Sequence, residues 1–444
     1  MATQTVSIEK IVHGGYGLAH LPSGQIVLVN QVLPGETVTV SVRRGKKNYL
    51  IGTPVEVVKP HPDRIDPPCP YYGRCGGCDL QHTDYATQLT VKKDILADLF
   101  QRRSEFLPPD IQDKICPVSG SPEQFHYRQR IRLQVNENGQ LGFNRYRSHE
   151  IIAVDSCLLA PDAIVETVYR IQQNQQGRDL VGLSTEVELL LNPATGSTVC
   201  IFKFKRRIRP ADKNRAVTLC KAVDCVERIF FTGADFPIQG PFGDATTLAH
   251  NHLSVIYPDF FESGKELQLN WEVGGFCQVN LNQNRQMIKE VINLADLSGR
   301  DTVLDLYCGM GNFAIALGQT AQHITGIEGQ GSAIRSAGKN AEVADITNCT
   351  FIKSPVHQGC RSLIEDGARF DCVIIDPPRQ GAPDLSAELG RLTRDKLIYV
   401  SCDPATLCRD LENLCAKGFS VTTVQPIDMF PQTHHIETIV LLQR

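Results

Sequence analysis

Along the first sixty residues the apolar and β-branched positions come in short runs, VSIEKIVH, QIVLVN, ETVTVSV and GTPVEVV, broken by GGYG, LPSG and LPGE. Runs of this length punctuated by Gly and Pro predict strands joined by turns. A small OB-like β-barrel is expected over residues 1–60. Pro and polar residues in HPDRIDPPCP end that pattern near residue 61. A Gly/Cys loop follows, and then YATQLTVKKDILADLFQRR, whose apolar spacing predicts a helix near residues 85–103. From about 125 to 272 strand-like runs dominate, among them HYRQRIRLQV, EVELLLN, STVCIFKFKRRI and LQLNWEV. A sheet-rich central domain is expected over 61–272.

From residue 273 the rhythm changes. The runs TVLDLY, HITGIEG, CTFIKSP, FDCVIIDPP, LIYVSCDP and SVTTVQPIDMFP alternate, for the most part, with helical stretches. That alternation predicts a doubly wound, mostly parallel, Rossmann-like sheet over 273–444. Ligands of such sheets bind at the carboxyl ends of the strands. The expected fold class is multidomain α/β.

Composition narrows the partners. The chain has 444 residues, too many for one ordinary core, with 42% apolar and 21% charged residues, which excludes a disordered chain. No apolar run approaches the roughly eighteen residues of a membrane span. The start, MATQTVSIEK, lacks the basic and apolar regions of a secretory signal. A cytoplasmic protein without a membrane partner is expected. The net charge is −4, but residues 1–60 carry six Lys/Arg against three Asp/Glu while 273–444 sum to −4. A modest total therefore leaves room for an RNA partner. Sixteen cysteines in such a chain read as thiols, metal ligands or nucleophiles rather than disulfides.

Four strand ends carry chemistry. Asp305-Leu-Tyr-Cys-Gly-Met-Gly311 follows an apolar strand and opens a helix, and Glu328 ends the next strand. Glycines allow close backbone approach, and an acidic side chain there can accept bonds from ribose hydroxyls. The acidic residue at the end of the first strand suits a cationic, phosphate-free nucleoside such as S-adenosylmethionine better than NAD. Asp376-Pro-Pro-Arg379 ends another strand and presents a carboxylate. Cys402, in Ser401-Cys-Asp-Pro404, is placed to attack as a thiolate. Glu437, after His434 and His435, can accept a proton at the same end. A methyl donor, a thiolate and a carboxylate base together fit methylation of pyrimidine carbon 5. Thiolate addition at carbon 6 makes carbon 5 nucleophilic, and a base then removes the carbon 5 proton.

Cys69, Cys75 and Cys78 lie in a Gly-rich loop without the second C-x-x-C pair of a zinc ribbon. An all-cysteine iron–sulfur cluster needs a fourth thiolate, for which Cys157 is the candidate and Cys116 the rival; zinc stays open. Alternation places Arg128, Arg130 and Arg132 on one strand face. With Arg145, Arg147 and the run Lys203, Lys205, Arg206, Arg207, Arg209, they form a surface suited to RNA phosphates. The basic turn Arg43, Arg44, Lys46, Lys47 adds to it.

The ordered motifs C-x5-C-G-G-C, YRxRxRL, F-x-Q-V-N, DLYCGMGNF, DPPR, SCDP and HxE-T, behind a TRAM-like barrel, resemble the RNA uracil-C5-methyltransferase family from end to end. The branch most similar acts on large-subunit (23S) ribosomal RNA. The resemblance implies a [4Fe-4S] cluster on Cys69, Cys75, Cys78 and Cys157. It implies S-adenosylmethionine contacts from Gln278, Tyr307, Asn312, Glu328 and Asp376, with Cys402 as nucleophile and Glu437 as proton acceptor. It also implies a helix after the cysteine loop that packs on the methyltransferase domain; a target uridine in structured RNA must be flipped out for the chemistry, and a monomer is expected. One position departs from the pattern, because Ser354-Pro355 stands where some relatives carry Asn. The competing readings are a tRNA methyltransferase and a non-catalytic module binding S-adenosylmethionine and RNA.

Overall fold

Valines alternating with polar residues build the N-terminal sheet. Its six strands run in the order Thr3–Ser7, Thr37–Arg44, Tyr49–Lys59, Ile26–Asn30, Tyr16–His20, Lys10–Val12. Val6, Ile8, Ala19, Val27, Val29, Val32, Val38 and Val40 pack together on one side of it. Gly17 is required there, since a Cβ would sit 2.3 Å from Val32. The buried carboxylate of Glu36 accepts from the Leu33 and His61 amides and from the Arg64 guanidinium. These bonds tie the Pro-rich segment after the sheet back onto it.

The computed structural model describes residues 3–45, 48–103, 105, 107–243, 251–261 and 264–444. Lys46 and Lys47 of the basic turn lie outside the described residues. The chain forms two compact units. One comprises residues 1–122, 367–369 and 373–444; the other comprises 123–366 and 370–372. Among the described residues no helix is long and apolar enough to cross a membrane.

In the first unit the helix Tyr85–Gln101 follows the cysteine loop, started by Asp84, whose side chain accepts from the Thr87 amide at 2.8 Å. This unit also holds the end of strand Phe370–Ile375, then Thr393–Ser401, Glu437–Gln443 and Ser420–Ile427 in spatial order. The last two pairings are antiparallel.

The second unit contains a seven-stranded sheet in the order Phe236–Gly243, Val226–Gly233, Thr198–Phe204, Ser184–Leu191, Arg130–Val135, Leu141–Asn144, Ile151–Ala153. Phe202, Phe204 and Phe231 pack in its core. Helices Asp162–Gln173, Gln175–Gly182 and Pro210–Ala222 accompany it, so this region is less purely sheet than its strand-like runs suggest. The first of them buries Ile164, Val168 and Ile171, a helical spacing that was available in the sequence. The arginine face also differs from expectation. Arg130 pairs with Glu188 and donates to the Gly275 carbonyl, and Arg132 pairs with Glu186 at 3.1 Å. The neighbouring strand thus supplies counter-charges to two of the three arginines. The unit ends in parallel strands Cys349–Lys353, His323–Glu328 and Thr302–Leu306, beside the start of Phe370–Ile375.

Candidate active site

Three acidic groups gather at one end of the sheet in the first unit. Strand Thr393–Ser401 pairs with Glu437–Gln443 so that Ser401 faces Thr438. The chain therefore leaves one strand at Cys402 beside the point where it enters the other at Glu437. Asp403 fixes this exit. Its side chain accepts from the Ala405 and Thr406 amides at 2.9 and 3.0 Å, capping helix Pro404–Cys415, and its own amide donates to Ser401 Oγ. Glu437 is only 3% exposed, while Cys402 and Asp376 are half-buried.

Burial and mutual repulsion hold protons at this site. Burial first, then the negative charges of Glu437 and Asp376, push the Cys402 thiol up to about 12, against an opposing pull from Arg379. Burial and Asp376 push Glu437 well above the usual carboxylate range, again opposed by Arg379. Burial raises Asp376 to about 7. Arg379 is thus the counter-charge of the site, a role the DPPR motif did not by itself reveal. Burial and like charge thus favour the protonated forms of Cys402 and Glu437 in the resting protein. Alkylation of Cys402 by iodoacetamide is accordingly expected to be slow at pH 7 and to keep rising with pH through pH 10. Mass-spectrometric rates for the residue 402 peptide check this; a plateau near the ordinary thiol value of about 8.5 would contradict it.

The second unit carries its own strand-end cluster. Leu306 and Ile327 are partners in parallel strands, so Tyr307 and Glu328 emerge at the same sheet end. Tyr307 and Gly309 take φ of 59° and 55°, and a Cβ on Gly309 would meet nothing within 4 Å. This backbone is open to a ligand, as a nucleoside cofactor requires. Gly311 serves packing instead, with its absent Cβ 2.9 Å from Ile315. Asn312 and Asn284 exchange amide hydrogen bonds at 2.9 and 3.0 Å, and Asn284 also donates to the Tyr257 hydroxyl. Asn340 donates to the Met310 carbonyl at 2.9 Å and so pins the glycine turn. Neither Asn284 nor Asn340 stood out in the sequence, because each acts on a motif through a distant contact. Gln278 is half-buried, and the nearby Phe276 ring is 69% exposed.

Cys69, Cys75, Cys78 and Cys116 are half-buried in the first unit and Cys157 is half-buried in the second, and none of them is in a disulfide. The Tyr72 hydroxyl donates to the Asp79 carbonyl at 2.7 Å, and the Tyr71 carbonyl accepts from the Cys75 amide, so the loop is folded around its own backbone. Among the described residues no three His, Cys, Asp or Glu side chains converge as a metal ion would need.

An open glycine turn after the first parallel strand and an acidic end to the second fit the nucleoside-cofactor site of the S-adenosylmethionine-dependent methyltransferase class. Comparisons with known proteins agree. Residues 260–444 match the model of the tRNA (uracil-5-)-methyltransferase family, and residues 2–55 match the TRAM domain. An RNA methyltransferase of Thermotoga maritima is 32% identical over 99% of this chain and 98% of its own. The 23S rRNA (uracil(1939)-C(5))-methyltransferase RlmD of Chromohalobacter salexigens is 33% identical over 99% of this chain and 89% of its own. The crystal structure of Pyrococcus abyssi tRNA (uracil-54, C5)-methyltransferase with S-adenosyl-L-homocysteine shares the fold, with a TM-score of 0.70 at 22% identity over 98% of this chain and all of that one. The chain belongs to the RNA uracil-C5-methyltransferase family.

Proposed function

We propose that this protein methylates carbon 5 of uridine in RNA, with 23S ribosomal RNA as substrate, acting as a monomer on a target base flipped out of its stack. The observation that carries the reading is the adjacency of Cys402 and Glu437 at one sheet end. S-adenosylmethionine supplies the electrophilic methyl group, and its sulfonium charge favours ionised acids nearby. Gln278, Tyr307, Asn312, Glu328 and Asp376 are the residues that would hold it. Cys402 Sγ gives up its proton to solvent and adds to carbon 6 of the uracil, and the ring electrons shift to carbon 5 as an enolate. Carbon 5 would take the methyl group as its bond to the sulfonium sulfur breaks, leaving the neutral thioether S-adenosylhomocysteine. Glu437 then accepts the carbon 5 proton, and the carbon 6–sulfur bond breaks to restore the ring and free Cys402. Extrusion of the base is what lets buried side chains reach both ring carbons.

Several features support an RNA substrate. The N-terminal TRAM domain is one. Another is a cavity of about 470 Å³ in the second unit, lined by Arg207, Arg209 and Lys213 beside the Phe236 ring, where cations and an aromatic face meet. The relatives named for 23S rRNA favour ribosomal over transfer RNA. Mapping 5-methyluridine in total RNA from cells lacking the gene tests the assignment. Loss of one 23S rRNA modification, restored by the purified protein, is the expected result; loss confined to tRNA would reassign the substrate.

The family resemblance of the C-x5-C-G-G-C loop is what supports a [4Fe-4S] cluster on Cys69, Cys75, Cys78 and Cys157. Anaerobically purified protein is expected to be brown and to contain iron and sulfide, both lost in a Cys75→Ser variant. Stoichiometric zinc in their place would overturn the cluster.

A further inference from the structure

Segment 428–436, which leads directly into Glu437, is held almost residue by residue from segment 79–92, which begins directly after Cys78. Asp428 and Lys92 are both wholly buried and form an ion pair. Lys92 Nζ also donates to the Phe430 carbonyl at 3.0 Å, and the Tyr85 hydroxyl donates to the second Asp428 oxygen at 2.8 Å. Gln432 takes a φ of 69°, a left-handed conformation that a residue with a side chain keeps only when its surroundings over-determine it. Here they do. Its amide donates to Gln88 Oε1 and its side-chain oxygen accepts from Gln88 Nε2, both at 3.0 Å; its carbonyl accepts from the Asp79 and Leu80 amides, both at 3.1 Å. His434 Nδ1 and Asp79 Oδ2 lie 2.5 Å apart.

A buried ion pair is a poor way to gain stability, because apolar residues of the same volume do as well or better. What it does provide is one fixed arrangement of the chain that carries it. Such an arrangement matters in the segment leading into a general base, where a displacement of about 1 Å can slow a step by about a hundredfold. We propose that Gln88, Lys92 and Asp428 are positioning residues for Glu437, fixing the strained 428–436 segment so that the carboxylate meets the carbon 5 proton. The inference rests on the adduct mechanism above. It also couples the base to the chain that follows the cysteine loop.

The test separates adduct formation from adduct resolution in single turnovers of the full-length protein on 23S rRNA fragments. Gln88→Leu removes the amide pair with little change of volume. Lys92→Met/Asp428→Leu removes both charges together and leaves no orphaned ion in the core. Each is expected to form the Cys402 adduct within about twofold of the wild-type rate and to resolve it about tenfold or more slowly. Adding Gln432→Gly to Gln88→Leu, which lets residue 432 keep its conformation without strain, is expected to recover resolution. Equal slowing of both steps with a lowered Tm would show a merely structural role and overturn the proposal, as would unchanged resolution. Glu437→Gln is the reference. If that variant traps the adduct and the others do not, only the positioning role falls. If it does not trap the adduct, the mechanism itself falls.

Discussion

Cys402→Ala is expected to abolish methyl transfer and covalent attachment to RNA together, while S-adenosylmethionine still binds. Without the sulfur no electron pair reaches carbon 5, and an unactivated uracil carbon is a very poor nucleophile. A loss of about four or more orders of magnitude in kcat, more than about 5 kcal/mol of barrier, is the scale at stake. The half-buried position of the residue makes the substitution mild for folding, so a normal Tm should accompany the loss. Radiolabelled methyl transfer to RNA and a denaturing gel for the protein–RNA adduct read both outcomes. Turnover above about 1% of wild type would remove Cys402 from the reaction.

Glu437→Gln is expected to have the next largest effect, and a different one. The amide keeps the shape of the carboxyl but cannot take the carbon 5 proton. The methylated adduct should therefore form and persist, with turnover reduced by about 10² to 10⁴. The raised pKa of Glu437 gives a second signature through stability. Its folded value lies above the unfolded value, so the native state binds the proton more tightly. The stabilisation is complete below the unfolded carboxylate range and is lost as pH rises through the folded value. The substituted amide does not titrate, so the variant's Tm should gain on the wild type as pH rises from about 5 to 8. Thermal scans across that range check the sign; a growing deficit for the variant would mean that Glu437 is ionised in the resting protein.

Much of this was readable along the chain because motifs for strand-end chemistry sit beside apolar runs. Asp376, Cys402 and Glu437 each adjoin a run that could only be a buried strand, and the Gly309 and Gly311 turn announces itself by composition. What the chain did not give is the pairing itself: the antiparallel register of Ser401 with Thr438 is what sets Glu437 directly beside Cys402. Arg379 as counter-charge, and Asn340 pinning the Met310 carbonyl, likewise arise from the fold. The pairing of Arg130 and Arg132 with Glu188 and Glu186 corrected a face that alternation alone presents as cationic. Lys92 and Asp428 are the extreme case. Separated by 336 positions, they look like ordinary surface charges until the helix Tyr85–Gln101 buries one against the other.

The most direct measurement is the identity of the residue that becomes joined to RNA. Incubating the protein with S-adenosylmethionine and a 5-fluorouridine-substituted 23S rRNA fragment blocks proton removal, since carbon 5 then carries fluorine. Digestion and mass spectrometry should find one peptide bearing a methylated fluorouridine nucleotide, attached through the sulfur of Cys402. Attachment at Cys408 or another thiol, or methylated RNA with no adduct at any stage, would contradict the account.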